Sequence, residues 1–145
     1  MKPEELVVHA TDLLLKGDMA AFAALWAEDG VLEFPFAQPG APRRLDGRAA
    51  VQEYLRGYPD LLDVREMPEL VVHRTADPEV VVVEFTVTGV VVPTAKPYEM
   101  RYIAVITVRD GEIRRYRDYW SPAAAADVMS GTGAAGSALS GSANA

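Results

Sequence analysis

Cysteine is absent from the 145 residues, which removes a disulfide framework, a thiolate metal site and a cysteine nucleophile together. Histidine is almost as scarce. His9 and His73 stand far apart with no carboxylate at a metal-ligand spacing, so no metal site is expected. Positive charge is short as well: 14 Lys and Arg against 21 Asp and Glu leave a formal net charge of −7, with no long basic run. Nucleic acid and anionic membrane are therefore excluded as partners, because binding phosphate needs a basic footprint. A long apolar run is missing too. The opening MKPEELVVHATDLLLKGD carries Glu4, Glu5 and Asp12 in and around its apolar stretch, which neither a secretory signal nor a membrane span tolerates. The expected compartment is the cytoplasm, and no cofactor is expected.

Half of the residues are hydrophobic, enough for one domain with a real core. From Lys2 to Leu15, the apolar residues Leu6, Val7, Ala10, Leu13 and Leu14 fall at helical intervals, closed by Lys16 and Gly17. Asp18 is placed to cap a second helix, with Phe22, Leu25 and Trp26 on its apolar side before Asp29 and Gly30 end it. VLEFPF (31–36) reads as a short strand, and Pro39, Gly40 and Pro42 in the next loop, AQPGAPRRLDG, oppose regular structure. RAAVQEYLRGY (48–58) follows as a third helix, with Val51, Tyr54 and Leu55 inward and Asp46 and Gly47 at its cap.

Strands fill the rest. ELVVHRT (69–75) is joined by the turn ADPE to VVVVEFTVTGVVV (80–92), and YEMRYIAVITV (98–108) by the turn RDG to EIRRYRDYW (112–120). Helices in front and strands behind indicate an α+β domain, a curved antiparallel sheet wrapped around the N-terminal helices. This domain is expected over 1–129, with one short helical turn in AAAADVM. The tail 130–145 is almost entirely Gly, Ser, Ala, Thr and Asn, and is expected to be disordered.

The last strand holds the most informative residue. Side chains alternate along a strand, so in RRYRDYW an acid, Asp118, shares a face with Tyr116 and Trp120. If that face lines a cavity, desolvation raises the acid's pKa toward neutrality. The competing expectation is an exposed pair with Arg101, Arg115 or Arg117, worth little.

The order of elements, together with GDMAAFAALWAEDGVLEFPFAQPGAPRRLDGRAAVQEYL and VRDGEIRRYRDYWSP, resembles the SnoaL-like proteins of the nuclear transport factor 2-like superfamily over about residues 1–129. The resemblance implies a cone-shaped α+β barrel with a deep, largely apolar pocket, and a homodimer formed through the outer sheet face. Chemistry varies widely on this fold and has to be argued from the site. In the related ketosteroid isomerase, an aspartate base works with a tyrosine and a second aspartate. These positions fall here on Phe34, near Ala10 and near Ala104. All three are apolar, so that chemistry by the same residues is excluded.

RRYRDYWSP is instead similar to the closing strand of SnoaL-like polyketide cyclases and phenazine biosynthesis A/B proteins, where an acid at the position of Asp118 moves protons. VVVEF, with Glu84, also resembles the phenazine proteins, whose assisting histidine and arginine have no counterpart placed here. The expected catalytic set is Asp118 with Tyr102 and Tyr116 as hydroxyl donors. The expected substrate-binding wall is Phe34, Phe36, Trp120, Tyr54, Tyr58 and Trp26. Glu84, on a Thr-rich face, His73 and His9 are further candidates, and Arg43 and Arg44 could meet a substrate at the mouth. The partner expected is a hydrophobic small molecule, either as the substrate of an isomerisation, cyclisation or dehydration or as the ligand of a non-catalytic module.

Overall fold

The computed structural model describes residues 1–132. Helix α1 (Pro3–Lys16) buries Leu6, Val7, Ala10 and Leu13, and ends at Gly17, whose φ of 72° is the left-handed conformation a helix C-terminus favours. In α2 (Met19–Ala23) the Asp18 carboxylate accepts from the Ala21 N–H at 3.0 Å, the expected cap. The helix is shorter than its apolar pattern suggests. Trp26 does not continue it but opens strand β1 (Trp26–Glu33). The Leu25 carbonyl is taken by the Ile113 N–H at 2.9 Å, so a tertiary strand pairing overrides the local helical period.

Three other boundaries also move. Within the Pro/Gly-rich loop, Arg44–Asp46 forms β2, pairing Leu45 with Leu32 of β1. The third helix splits at Gly57 into α3 (Arg48–Leu55) and the four-residue α4 (Tyr58–Leu61), and Gly47, not the Asp46 side chain, occupies the cap. Strand β3 runs from Leu62 to Arg74, seven residues longer at its start than ELVVHRT suggests. Pro68 sits within a register irregularity between Glu66 and Glu69 on this edge strand, where a missing N–H costs no ladder bond.

Strands β4 (Val80–Val91), β5 (Lys96–Arg109) and β6 (Glu112–Trp120) complete a six-stranded curved, unclosed sheet in the order β2-β1-β6-β5-β4-β3. Its pairings are antiparallel except β1 with β6, which run parallel. Asp110 and Gly111, with φ of 53° and 75°, make the two-residue turn between β5 and β6. Helix α5 (Pro122–Val128), capped by the Ser121 hydroxyl accepting from the Ala124 N–H at 3.2 Å, is longer than one turn. Of the C-terminal tail, 133–145 lies outside the described residues.

The core fills the space between the helices and the concave sheet face. Val81, Val83, Phe85 and Val87 point there from β4, and Tyr98, Met100, Tyr102, Ala104, Ile106 and Val108 from β5. A bulge in β6 sets which of its side chains join them. Thr107 pairs with Arg115 while Val108 pairs with Ile113, so Arg114 is an extra residue. Ile113 and Tyr116, three apart, therefore both face inward, and Asp118 follows Tyr116.

Gly89 of β4 lies where β3 crosses closely. A Cβ there would stand 2.0 Å from the Asp63 carbonyl oxygen and 3.2 Å from the Arg65 nitrogen, both backbone atoms that cannot swing away. Gly89→Ala is expected to cost about 1–3 kcal/mol in urea unfolding. Gly57→Ala, with an ordinary φ of −86° and open space, should be neutral or stabilising by up to about 1 kcal/mol. Equal midpoints for the two variants would contradict a close β3–β4 crossing at Gly89.

Candidate active site

The concave face holds a partly open chamber of about 70 Å³ whose lining includes Trp26, Phe34, Tyr54, Tyr58, Tyr102, Tyr116 and Asp118. The five polar side chains come from four elements. β6 supplies Tyr116 and Asp118, β5 supplies Tyr102, and the helices supply Tyr54 and Tyr58. Trp26 is fixed from two sides: its indole N–H donates to the Val31 carbonyl at 3.3 Å, and its own carbonyl accepts from Arg48 at 3.3 Å. It stacks on Tyr116 with ring centres 5.5 Å apart, while Phe34 packs against Tyr54 at 5.3 Å. Aromatic surfaces thus fix the two walls that flank the acid.

Asp118 is opposite Ala104, a fully buried residue that has no polar atom beyond its backbone to offer. Its Oδ1 is buried without a hydrogen-bond partner. Burial of the carboxyl, with no cation to offset it, pushes its pKa up to about 8. Among the described residues the arginines that could have neutralised it are turned away. Arg115 pairs with Glu33, Arg101 approaches Glu99 at 4.0 Å, and the buried Nε of Arg117 has no partner.

Four phenols share the chamber with the acid. Tyr54, Tyr58, Tyr102 and Tyr116 are all raised above the usual tyrosine range, first by burial and also by the nearby Asp118 charge. They are neutral hydroxyls at any physiological pH, able to donate a hydrogen bond. A hydrogen bond between the Tyr58 and Tyr102 side chains raises Tyr102 and lowers Tyr58.

Other candidates lie elsewhere. Phe36, expected on the wall, is 52% exposed and packs on Tyr119 at 5.2 Å, because the chain turns outward after Phe34. Trp120 faces inward but is buried beneath Phe34, with ring centres 5.5 Å apart, and does not line the chamber. Glu84 is on the outer sheet face, where its carboxylate meets His73 Nε2 at 2.6 Å. His9 is exposed on α1, and Arg44 is engaged with Asp46 and Glu33, while the loop carrying Arg43 contributes nothing to the lining. Neither histidine reaches the acid, and no group of three His, Asp or Glu residues suited to a metal ion occurs among the described residues. Among them, no helix is long and apolar enough to cross a membrane.

Sequence reasoning did not single out Met19 and Val64, which line the chamber from α2 and β3. Leu62 and Val64, two apart around Asp63, carried a short alternation signal that the charged REMPE run obscured.

Comparison with known proteins bears on the family and the fold. The SnoaL-like domain matches residues 7–116, ending just short of Asp118. YesE of Bacillus subtilis, itself uncharacterised, is 40% identical over 119 residues, 82% of this chain and 81% of YesE. The uncharacterised PhzA/B-like protein PA3332 of Pseudomonas aeruginosa is 36% identical over 141 residues, 97% of this chain and 99% of that protein. A solved Bacillus subtilis structure, to which an isomerase activity is only provisionally assigned, superposes with a TM-score of 0.83 at 38% identity, over 88% of this chain and 91% of its own.

The state of Asp118 can be read directly. In a carboxyl-carbon NMR titration assigned with Asp118→Asn, its resonance should titrate near 8; a midpoint near the ordinary value of about 3.9 would remove it from a desolvated site. A folded-state pKa above the unfolded value means that the native state keeps a proton which the unfolded chain has lost. Stability from this group is full below about pH 4 and falls as pH rises to about 8. Urea unfolding should therefore show Asp118→Asn gaining on the wild type across that window, by up to about 5 kcal/mol.

Proposed function

The chain belongs to the SnoaL-like domain family, and on that premise we propose that it is a cofactor-free acid–base enzyme acting on a hydrophobic, oxygen-bearing small molecule. The observation that carries the reading is the unpartnered, buried carboxyl oxygen of Asp118 in a chamber otherwise lined by apolar and phenolic groups. A protein gains nothing in stability from such a group, and strongly perturbed acids in cavities concentrate at functional sites. With its pKa near 8, Asp118 is mainly a neutral acid at pH 7, close enough to the operating pH to exchange protons in both directions.

The step is self-contained. Asp118 gives its proton to a carbonyl or departing hydroxyl oxygen of the substrate. The carboxylate so formed takes a proton from a neighbouring carbon, and the electron pair of that C–H bond moves into the new double bond. When a hydroxyl departs, the products are water and an alkene, a dehydration. When a carbonyl is protonated, the product is its enol, the half-reaction of an isomerisation, and an activated carbonyl is equally open to ring closure. Tyr102 and Tyr116, held neutral by burial, supply hydrogen bonds to the oxygen as charge develops. Trp26, Phe34, Tyr54 and Tyr58 orient the substrate and exclude water.

A second reading makes the fold a non-catalytic binding or dimerisation module whose cone is largely filled by its own side chains, and the chamber's size favours it: about 70 Å³ is below the roughly 150 Å³ that admits a benzene ring. In either reading the protein acts as a homodimer. The outer sheet face leaves Val71 and Ile103 exposed, at 42% and 45%, on neighbouring strands that flank Glu84.

Deuterium exchange into ketones and dehydration of hydroxyketones make a first activity screen. For the substrate found, kcat/KM should fall tenfold per unit above pH 8 or so, Asp118→Asn should lose about 100- to 10,000-fold, and Tyr102→Phe about 100-fold. An Asp118→Asn enzyme with full activity refutes the mechanism. Light scattering at micromolar concentration should give the mass of a dimer, and Val71→Glu with Ile103→Glu that of a monomer.

A further inference from the structure

A second hollow adjoins the chamber. Open to solvent and about 340 Å³ in volume, it lies between the end of α1, α4, the start of β3 and the end of β4, with Leu15, Leu62 and Val92 on its walls. Leu14, Met19, Tyr58 and Val64 line both spaces, so these four side chains are the partition between them. The inner space alone is too small for a ring, whereas sites for small molecules run from about 300 to 1,000 Å³.

We propose that this vestibule is the second half of the ligand site: it takes the apolar body of a neutral substrate whose oxygen-bearing end reaches Asp118, and Tyr58 is the movable part of the partition. The proposal rests on the reading of the chamber as a ligand site. The walls specify the occupant's chemistry. Leu15 and Val92 leave apolar surface exposed, at 37% and 45%. The two charged residues at the rim are already matched, Lys16 with Asp12 at 2.8 Å and Asp63 with Arg65 at 3.0 Å. Nothing there calls for an ion, and much there gains from an apolar group.

Tyr58 is the side chain best placed to move. It begins α4, a single turn between Gly57 and β3 that contributes no buried residue to the core. Leu14, Met19 and Val64 belong to longer or core-packed elements. Across the partition Tyr58 is tied to Tyr102 by the hydroxyl hydrogen bond. The tie acts as a latch: releasing it joins the two spaces beside the acid.

The test uses the full chain and 4-phenyl-2-butanone, a neutral ketone with a small acyl end and an aromatic body, with affinity read by calorimetry. Leu15→Trp and Val92→Trp fill the vestibule from opposite rims and should each weaken binding about tenfold or more. The Asp118 carboxyl resonance should stay where it is in both variants, which shows that the chamber is intact. Tyr58→Phe, lacking the latch hydroxyl, should bind about fivefold tighter, because the open form no longer competes with the latched one. Unchanged affinity in both tryptophan variants overturns the proposal, as does a ketone that binds neither wild type nor Tyr58→Phe. The readout is binding alone, so normal ketone binding together with a failed deuterium-exchange screen counts against the proposed reaction and leaves the two-compartment site standing.

Discussion

One buried carboxyl without a cation is the constraint around which the interior is arranged. Fully desolvating a charged carboxylate is costly enough that the group keeps its proton instead. Every neighbour of Asp118 is consistent with that outcome. Ala104 opposes it with a methyl group, Tyr116 and Trp26 stack beside it, and the nearby hydroxyls are phenols that stay neutral. A lysine or arginine in any of these positions would pull the acid back toward an ordinary carboxylate.

The sheet keeps cations out by geometry. Arg115 and Arg117 precede Asp118 in the chain within three positions, yet the pleat sends them to the opposite face. There Arg115 meets Glu33 of β1, and nearby strands hold further exposed pairs such as His73 with Glu84. Such pairs add little stability. Their role is better understood as occupancy: the outer face gathers charge of both signs while the concave face stays apolar. Thr86, buried on that outer face, donates to Glu69 at 3.2 Å and adds one more polar contact there.

The helices complete the wall with apolar side chains and the two neutral phenols Tyr54 and Tyr58, adding no charged group. Leu14 at the end of α1, Met19 and Phe22 on α2, and Leu55 on α3 close over the sheet. The break at Gly57 then turns the chain so that Tyr58 comes back over the opening. A continuous helix to residue 58 would have directed that side chain according to helical phase. The place of Tyr58 in the partition, beside Leu14, Met19 and Val64, thus follows from one interrupted helix.

Much of this was legible in the residues. The stripe Leu6, Val7, Ala10, Leu13, the Asp18 cap, the Asp-Gly turn and the alternation of β5 and β6 each rest on short-range physics, which a sequence carries in full. The identity of Asp118 as the odd acid among aromatics was equally visible, as were Tyr102 and Tyr116. What lay beyond reach depended on partners distant in the chain. Trp26 passed from helix to strand because Ile113 claimed the Leu25 carbonyl, Phe36 turned outward to Tyr119, and β2 arose in a loop only because β1 was there to pair with it. The sequence by itself determined the periodicities, the caps and the chemistry of the residue that matters. Only the tertiary structure decided which face that residue took, because the Arg114 bulge resets the pleat and alternation alone cannot say which side is covered.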